Sequence, residues 1–185
     1  MASSKITFPS VVLALRLLAL ALLAGSIALI VTNKVSVDLV DVEIFSLSFK
    51  DIYAYRYVLG IAVVGCAYTL LQIPLAGVAI AKRSKVIGGT ANVALFLICA
   101  DVVISVALAT GAGACFGLSY DAKRFFDGQY DEQLDGATKA RADYSKLLRD
   151  VDRFFVHGYA AAVLVLLAAK SVAAVVLITV YALIK

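Results

Sequence analysis

Long apolar runs alternate with short polar segments along this chain, and four of the runs are long enough to cross a membrane. They cover about residues 8–31, 57–81, 91–116 and 155–184. A helix needs about 20 apolar residues to span a bilayer core of about 30 Å. The pattern therefore predicts an all-α transmembrane protein, a single domain in which four spans form a four-helix bundle. The first run is longer than the apolar region of a signal peptide, so we interpret it as a retained span.

The polar segments between the spans predict the orientation of the bundle. Two longer loops, 32–56 and 117–154, alternate with one short turn, 82–90. That turn contains several cationic residues and no acidic residue, whereas the bases of the longer loops are mixed with acids. Basic residues without compensating acids favour the cytoplasmic side. We therefore expect the turn and both termini in the cytoplasm and the two longer loops outside.

Both outer loops carry a pattern that predicts secondary structure. Between Val35 and Phe49 apolar and polar residues alternate, with a phase slip near Phe45. Alternation of this kind is typical of β-strands, and the slip allows a bulge or a turn, so a small β-hairpin is expected in the first loop. From Tyr144 to Phe155 apolar residues recur at three- and four-residue steps. That spacing indicates an amphipathic helix that leads into the fourth span.

The composition supports a membrane protein and excludes several other classes. Hydrophobic residues make up 63% of the chain and charged residues 16%, and the mean hydropathy is +0.96. A soluble domain usually has about 45–50% apolar residues. The net charge of +4 comes from bases that are scattered or lie beside spans, so no nucleic-acid partner is expected. The three cysteines, Cys66, Cys99 and Cys115, have no spacing that predicts a disulfide framework.

Three ionisable residues interrupt the apolar spans: Arg16, Asp101 and Lys170. Each costs about 2.5–3.5 kcal/mol at the centre of a membrane helix, so each is expected to face a partner. Counting along the helices places all three at a similar depth, and Arg16 with Asp101 is the simplest pair. Lys170 is either a further member of this charge network or a side chain that snorkels towards the surface. The network either fixes the helix register or forms part of an ion or proton pathway.

Other residues are candidates for contacts between helices or at the membrane surface. Interhelical packing or polar contacts are predicted for Tyr68, Gln72, Gly111 and Gly113. Outer-loop and interfacial roles are predicted for Tyr53, Tyr55, Arg56, Tyr57, Phe154, Phe155 and His157. No Cys-x-x-Cys pair, His/Cys cluster or Gly-rich phosphate loop occurs. The sequence thus predicts a protein that is not an enzyme, with no catalytic residue, cofactor, metal or identified small-molecule substrate.

Several of these residues and runs resemble the plant Casparian strip membrane domain protein-like (CASP-like) family, which is related to the MARVEL four-span proteins. The resemblance covers nearly the whole chain and rests on the following residues: Arg16, Asp101, the run 49–57, Tyr68, Leu71-Gln72, Phe154-Phe155 and Gly158-Tyr159-Ala160. The first loop lacks the short signature of the strip-forming members, so the resemblance does not extend to a Casparian-strip role. Lys170 is also not expected in the fourth span of this family.

The resemblance implies a scaffold of the plasma membrane. Such a protein associates with itself, at least as a dimer, and with related four-span proteins in the lipid bilayer. The resulting platform recruits cell-wall-modifying proteins. The residues themselves leave an alternative open, in which Asp101 and Lys170 serve a small channel or transporter subunit.

Overall fold

The computed structural model describes residues 4–39, 42–48, 50, 52–81, 91–133 and 138–184. Their backbone forms four long helices and one two-stranded sheet. The elements are α1 (Ser4–Thr32), β1 (Lys34–Leu39), β2 (Val42–Ser48), α2 (Tyr53–Ala81), α3 (Ala91–Gln133) and α4 (Thr138–Ile184). The predicted basic turn at 82–90 lies outside the described residues.

The predicted all-α transmembrane four-helix bundle is confirmed. Each helix contains a segment long and apolar enough to cross a membrane: Pro9–Thr32, Tyr53–Val78, Asn92–Arg124 and Arg149–Ile184. Helix α1 packs against α2 and α4, and α3 also packs against α2 and α4. Helices α1 and α3 therefore lie diagonally opposite each other. Large apolar side chains such as Leu71, Phe96 and Leu177 are exposed on the outside, as expected for a surface that faces lipid.

The first loop contains an antiparallel hairpin in the segment where alternation predicts strands. Lys34 pairs with Ser48 and Val37 pairs with Phe45. The register shifts between Val37 and Leu39, which is opposite the predicted phase slip. The hairpin lies at the end of the bundle where α1 ends and α2 begins, and we call this end the hairpin end.

The helices extend beyond the predicted spans. Helix α2 begins at Tyr53, before the predicted start at 57, and α3 continues to Gln133, well past 116. Helix α4 already begins at Thr138, so most of the predicted outer loop 117–154 is helical. Adding residues to an existing helix costs far less than nucleating one, so polar residues can extend the apolar spans. The predicted amphipathic helix falls within α4, although the side chains of 138–148 lie outside the described residues.

Small side chains on α4 form much of the core of the bundle. The residues that face inwards recur at three- and four-residue steps: Ala161, Ala162, Val165, Ala168, Ala169 and Val172. Small residues allow helix backbones to approach closely in a membrane. This close approach allows two hydroxyl groups to form hydrogen bonds with the backbone of α4. Ser26 donates to the Ala161 carbonyl at 3.1 Å, and Ser105 donates to the Ala169 carbonyl at 3.2 Å. Helix α4 is thus bound to α1 on one side and to α3 on the other.

Candidate functional site

An ion pair crosses the bundle from α1 to α3. Arg16 Nη2 lies 2.8 Å from Asp101 Oδ2, and Arg16 Nη1 donates to Asp101 Oδ1 at 3.2 Å. The side chains are only 3% and 2% exposed. The two parallel bonds match the planar guanidinium to the carboxylate, which is the strongest geometry for such a pair. Because α1 and α3 are diagonal, this pair fixes their relative height through the centre of the core.

Helix α2 adds two neutral side chains to the same site. Tyr68 donates its hydroxyl proton to Asp101 Oδ1 at 2.7 Å, and Gln72 Nε2 donates to the Tyr68 hydroxyl oxygen at 2.7 Å. Tyr68 has one proton to give, so its oxygen is free to accept from the amide. The result is a continuous polar chain, defined here as Gln72, Tyr68, Asp101 and Arg16, that connects three of the four helices.

The charges of the polar chain cancel, and its hydrogen bonds occupy most of its polar atoms. Among the described residues, Arg16 Nε and Gln72 Oε1 are buried atoms without a hydrogen-bond partner. Each such atom costs about 1–3 kcal/mol, which the bonds to Asp101 have to offset. Both oxygens of Asp101 accept hydrogen bonds, so the carboxylate is held in place. Chemically, this arrangement suits a structural connection between helices better than a group that accepts and releases protons.

The structure does not bring Lys170 to the polar chain, contrary to the prediction of a three-residue network. Its side chain is exposed on the outside of α4, whereas the neighbouring Ala168 and Ala169 face the core. Depth along the helix is similar for the three charges, but the direction around the helix axis differs. The prediction that Lys170 belongs to the charge network is therefore wrong.

Aromatic side chains close the core at the hairpin end. Tyr55 is buried, and its hydroxyl lies 3.0 Å from the Ser119 hydroxyl of α3. The Tyr55 ring packs edge-on against Phe154 of α4 at 5.5 Å between centroids, and Phe154 packs in the same way against Phe155. Tyr55, Phe154 and Phe155, predicted at the membrane interface, are buried in the bundle rather than exposed at its surface.

Other predicted interfacial residues do lie at the surface. Tyr53 and Tyr57 are exposed, and the guanidinium of Arg56 lies 5.7 Å from the centre of the Tyr53 ring. His157 is half-buried, with Nδ1 at 2.6 Å from the Arg153 carbonyl oxygen of its own helix. Within the part of the chain that the structure describes, no group of three or more metal-ligating side chains occurs.

The two glycines predicted to pack between helices differ. A Cβ atom at Gly111 would lie 3.5 Å from Ile61 of α2, so this glycine is packed inside the bundle. A Cβ atom at Gly113 would meet nothing within 4 Å, and the residue is exposed. The structure therefore shows no packing of Gly113 against another helix among the described residues of the chain. Any packing role of this residue lies on the outer surface.

Several residues that connect helices are not predicted from the sequence to do so. Asn33 Nδ2 donates to the Phe154 carbonyl oxygen at 2.8 Å, and Cys115 Sγ lies 3.5 Å from the Gly158 carbonyl oxygen. Gly158 packs so closely on the Tyr55 ring that a Cβ atom would lie 2.8 Å from Tyr55 Cζ. The spacing of Gly158 with the buried alanines of α4 is a signal that could have identified it.

An open cleft of about 340 Å³ lies beside these contacts at the hairpin end. It is formed where α1 and β1 meet α4. Its lining is Thr32, Asn33, Lys34, Asp150, Arg153, Phe154 and His157. Most of these side chains are polar, so the cleft is a hydrophilic surface next to the apolar spans.

Four membrane-crossing helices around a buried ion pair define a multi-pass integral membrane protein. The chain matches the Casparian strip membrane protein domain over residues 6–171. It therefore belongs to the CASP-like family of membrane proteins, as its residues indicated.

Plant relatives match over nearly the whole chain. CASP-like protein 4D1 of Sorghum bicolor is 47% identical over 191 residues, which covers 99% of this chain and 95% of the relative. CASP-like protein 4D1 of Ricinus communis is 35% identical over 173 residues, covering 94% and 90%, respectively. CASP-like protein 4D2 of Arabidopsis thaliana is 34% identical over 172 residues, covering 91% and 89%. No solved structure matches the chain.

Proposed function

We propose that this protein is a non-enzymatic scaffold of the plasma membrane. It associates with itself and with related four-span proteins to form a membrane platform. The observation that carries the proposal is the charge-neutral polar chain of Gln72, Tyr68, Asp101 and Arg16. The buried charges of the spans hold helices together. The association with other proteins is therefore assigned to the surface of the bundle. Membership of the Casparian strip membrane protein domain family supports a role in organising a membrane region.

The outer face of α3 supports self-association. Gly113 and Gly117 are four residues apart, both are exposed, and a Cβ atom at either would meet nothing within 4 Å. In membranes, small residues at this spacing allow a helix of another molecule to approach the backbone closely. Thr110, one turn before, is also exposed and bonds its own helix at the Ala107 carbonyl. This face thus fits contact with a second copy or a relative.

The hairpin end supports recruitment of proteins from outside the cell. In the proposed orientation the termini and the basic turn are cytoplasmic, so the hairpin and the polar cleft face the cell wall. The cleft lies where α1, β1 and α4 meet and carries both cationic and anionic side chains. A hydrophilic surface on a rigid bundle is suited to binding wall-modifying proteins and holding them at one place in the membrane.

Subunit counting in lipid tests this scaffold. The full-length protein would be extracted with its lipid in native nanodiscs, and its stoichiometry measured by mass spectrometry. We expect two or more copies for the wild type and a shift towards monomer for Gly113→Leu. Gly60→Leu on α2 is the matched control, because a Cβ atom at Gly60 also meets nothing within 4 Å. A wild-type protein that is monomeric in nanodiscs would contradict the proposal.

A channel or transporter subunit that uses Asp101 and Lys170 is less well supported by the geometry. Asp101 is bound by Arg16 and Tyr68, and Lys170 faces away from it. A conducting path needs a series of polar groups along the span. Proton flux into vesicles containing the protein, abolished by Asp101→Asn, would favour the channel instead.

A further inference from the structure

Lys170 is a charged residue on the membrane-facing side of α4. From Val156 to Ile184 the exposed residues of α4 form one stripe along the helix: Val156, Ala160, Val163, Leu167, Lys170, Ala173, Leu177, Tyr181 and Ile184. Lys170 is the only charged member of the stripe. The apolar members are satisfied by lipid tails, whereas an ammonium group at the centre of a span costs about 2.5–3.5 kcal/mol. Lipid tails therefore account for the apolar residues of the stripe but not for Lys170.

The contacts of the neighbouring residue fix the depth of Lys170. Ser105 donates to the Ala169 carbonyl at 3.2 Å, so Lys170 lies one helical turn from the level of Asp101. At 1.5 Å per residue it is about 24 Å from Phe154 at the hairpin end and about 21 Å from Ile184 at the other end. These two ends are about 45 Å apart at that rise, whereas a bilayer core is about 30 Å thick, so a residue at mid-span lies about 15 Å from either surface of the core. A stem of four methylene groups covers less than half of that distance. Snorkelling alone cannot bring the ammonium group to the membrane surface.

Among the described residues, this ammonium group has no partner. No hydrogen bond or ion pair to Lys170 occurs among the described residues. Apart from acids near the hairpin end, Asp101 is the only acidic residue of the spans, and it is already bound by Arg16 and Tyr68. Its burial at 1% exposure also separates it from the outer surface of α4.

A second copy of the chain does not supply the missing group. Two copies with the same orientation that met through this face would place their Lys170 residues at the same depth, where like charges repel. The Asp101 carboxylate of a second copy would be as occupied as the first. The partner therefore has to be a different chain.

We propose that the face of α4 around Lys170 docks a transmembrane helix of another protein that carries a carboxylate at mid-span. The carboxylate accepts hydrogen bonds from the Lys170 ammonium group, and the flanking Leu167 and Ala173 pack on the apolar face of the partner helix. The inference rests on the proposed scaffold function, since it names the chemistry by which a partner is held. It places that contact on α4, away from the glycines of α3.

Designed single-span peptides test this docking face. The peptide is a Leu/Ala helix of about 20 residues with one Asp at its centre, and matched peptides carry Asn or Leu there. Binding to the labelled full-length protein is measured by fluorescence energy transfer in vesicles of zwitterionic lipid. We expect the Asp peptide to bind about tenfold more tightly than the Leu peptide, with Asn between them. Equal binding of the Asp and Leu peptides would overturn the inference.

Three variants locate the effect. Lys170→Met should abolish the preference for Asp, whereas Lys50→Met, the same change at an exposed residue outside the spans, should leave it unchanged. Lys170→Asp should reverse the preference towards a peptide with a central Lys. A preference for Asp that persists in Lys170→Met would place recognition elsewhere and contradict the proposal.

A subunit count in the same vesicles separates this inference from the scaffold function. Self-association of the wild type without a preference for Asp would refute only the docking face. Monomeric wild-type protein would refute the scaffold.

Discussion

At the scale of residues, the centre of the molecule depends on one carboxylate and the groups that bind it. Asp101 accepts two bonds from Arg16 and one from Tyr68, and these bonds connect α1, α2 and α3. A buried charge that loses its partner is far more costly than a pair removed together. The stability of the bundle should therefore depend on the charge balance of this site, that is, on whether each buried charge keeps its partner. The presence of either charge by itself should matter less.

A double-mutant cycle measures this balance. Arg16→Leu and Asp101→Leu should each lower the free energy of unfolding by about 3–5 kcal/mol, because each leaves the other charge buried without compensation. The double variant should recover part of that loss. Unfolding would be followed by circular dichroism in detergent as a denaturing detergent is added.

The exposed pair of Lys123 and Asp152 is the control for that cycle. Its atoms are 2.7 Å apart, but the side chains are 47% and 50% exposed. Replacing either residue by Met should change stability by less than about 1 kcal/mol. If the losses of the two core variants simply add in the double variant, the ion pair does not couple the helices.

Gly158 gives a second prediction at this scale. Gly158→Ala would place a Cβ atom 2.8 Å from Tyr55 Cζ and 2.9 Å from Cε1, so the ring would have to move away from Ser119. Overpacking of this kind costs about 1–3 kcal/mol. Gly117→Ala, where nothing lies within 4 Å, should be neutral or slightly stabilising. Equal stability of the two variants would show that Tyr55 does not pack on Gly158.

At the scale of elements, α4 organises the bundle because its inward face consists mainly of small residues. The backbone of α1 approaches closely enough for Ser26 to bond a carbonyl of α4, and α3 does so through Ser105. Close approach also brings the carbonyl of Gly158 to Cys115. The size of the side chains on this face therefore controls the distance between three helices.

Two neighbouring alanines test this role of α4. Ala162→Leu should lower the free energy of unfolding by about 1–3 kcal/mol, since Ala162 is fully buried and the new side chain has no space. Ala160→Leu makes the same change on the exposed face and should have little effect. The measurement is the same detergent titration. Similar losses for both variants would contradict the assignment of the inward face.

The elements also show what a sequence can and cannot predict. The spans are predictable, because about 20 apolar residues have few alternatives to a membrane helix. The ends of α3 and α4 are not, because polar residues that follow an apolar span continue its hydrogen bonding without changing the hydropathy pattern. Their extension to Gln133 and from Thr138 therefore appears only in the structure.

Part of the polar site was also predictable, because charged residues stand out within apolar spans. Opposite charges at similar depth are a strong signal, and the structure does bring Arg16 and Asp101 together. Depth does not determine the direction around a helix axis, so the same reasoning wrongly included Lys170. The repeat of Ala161, Ala162, Val165, Ala168 and Ala169 defines the inward face of α4, and Lys170 falls outside it. That repeat is visible in the sequence, and it predicts Lys170 on the outside of the helix.

At the scale of the whole molecule, the protein is a four-helix bundle that, in the proposed function, acts through its surfaces. Its charges are compensated inside, its spans present apolar residues to lipid, and its polar cleft lies at the hairpin end. Three surfaces remain for partners: the glycine face of α3, the Lys170 face of α4 and the cleft. All three depend on four helices that cross the bilayer with alternating direction.

Topology by cysteine labelling tests that arrangement most directly. In a variant whose three native cysteines are replaced by alanine, single cysteines would be introduced as Lys50→Cys, Arg149→Cys and Ile184→Cys. Labelling would use a maleimide that does not cross membranes, on intact cells and then on permeabilised cells. The account predicts that the cysteines at 50 and 149 react in intact cells, whereas the cysteine at 184 reacts only after permeabilisation. Reaction of the cysteines at 149 and 184 from the same side would contradict the four-span bundle.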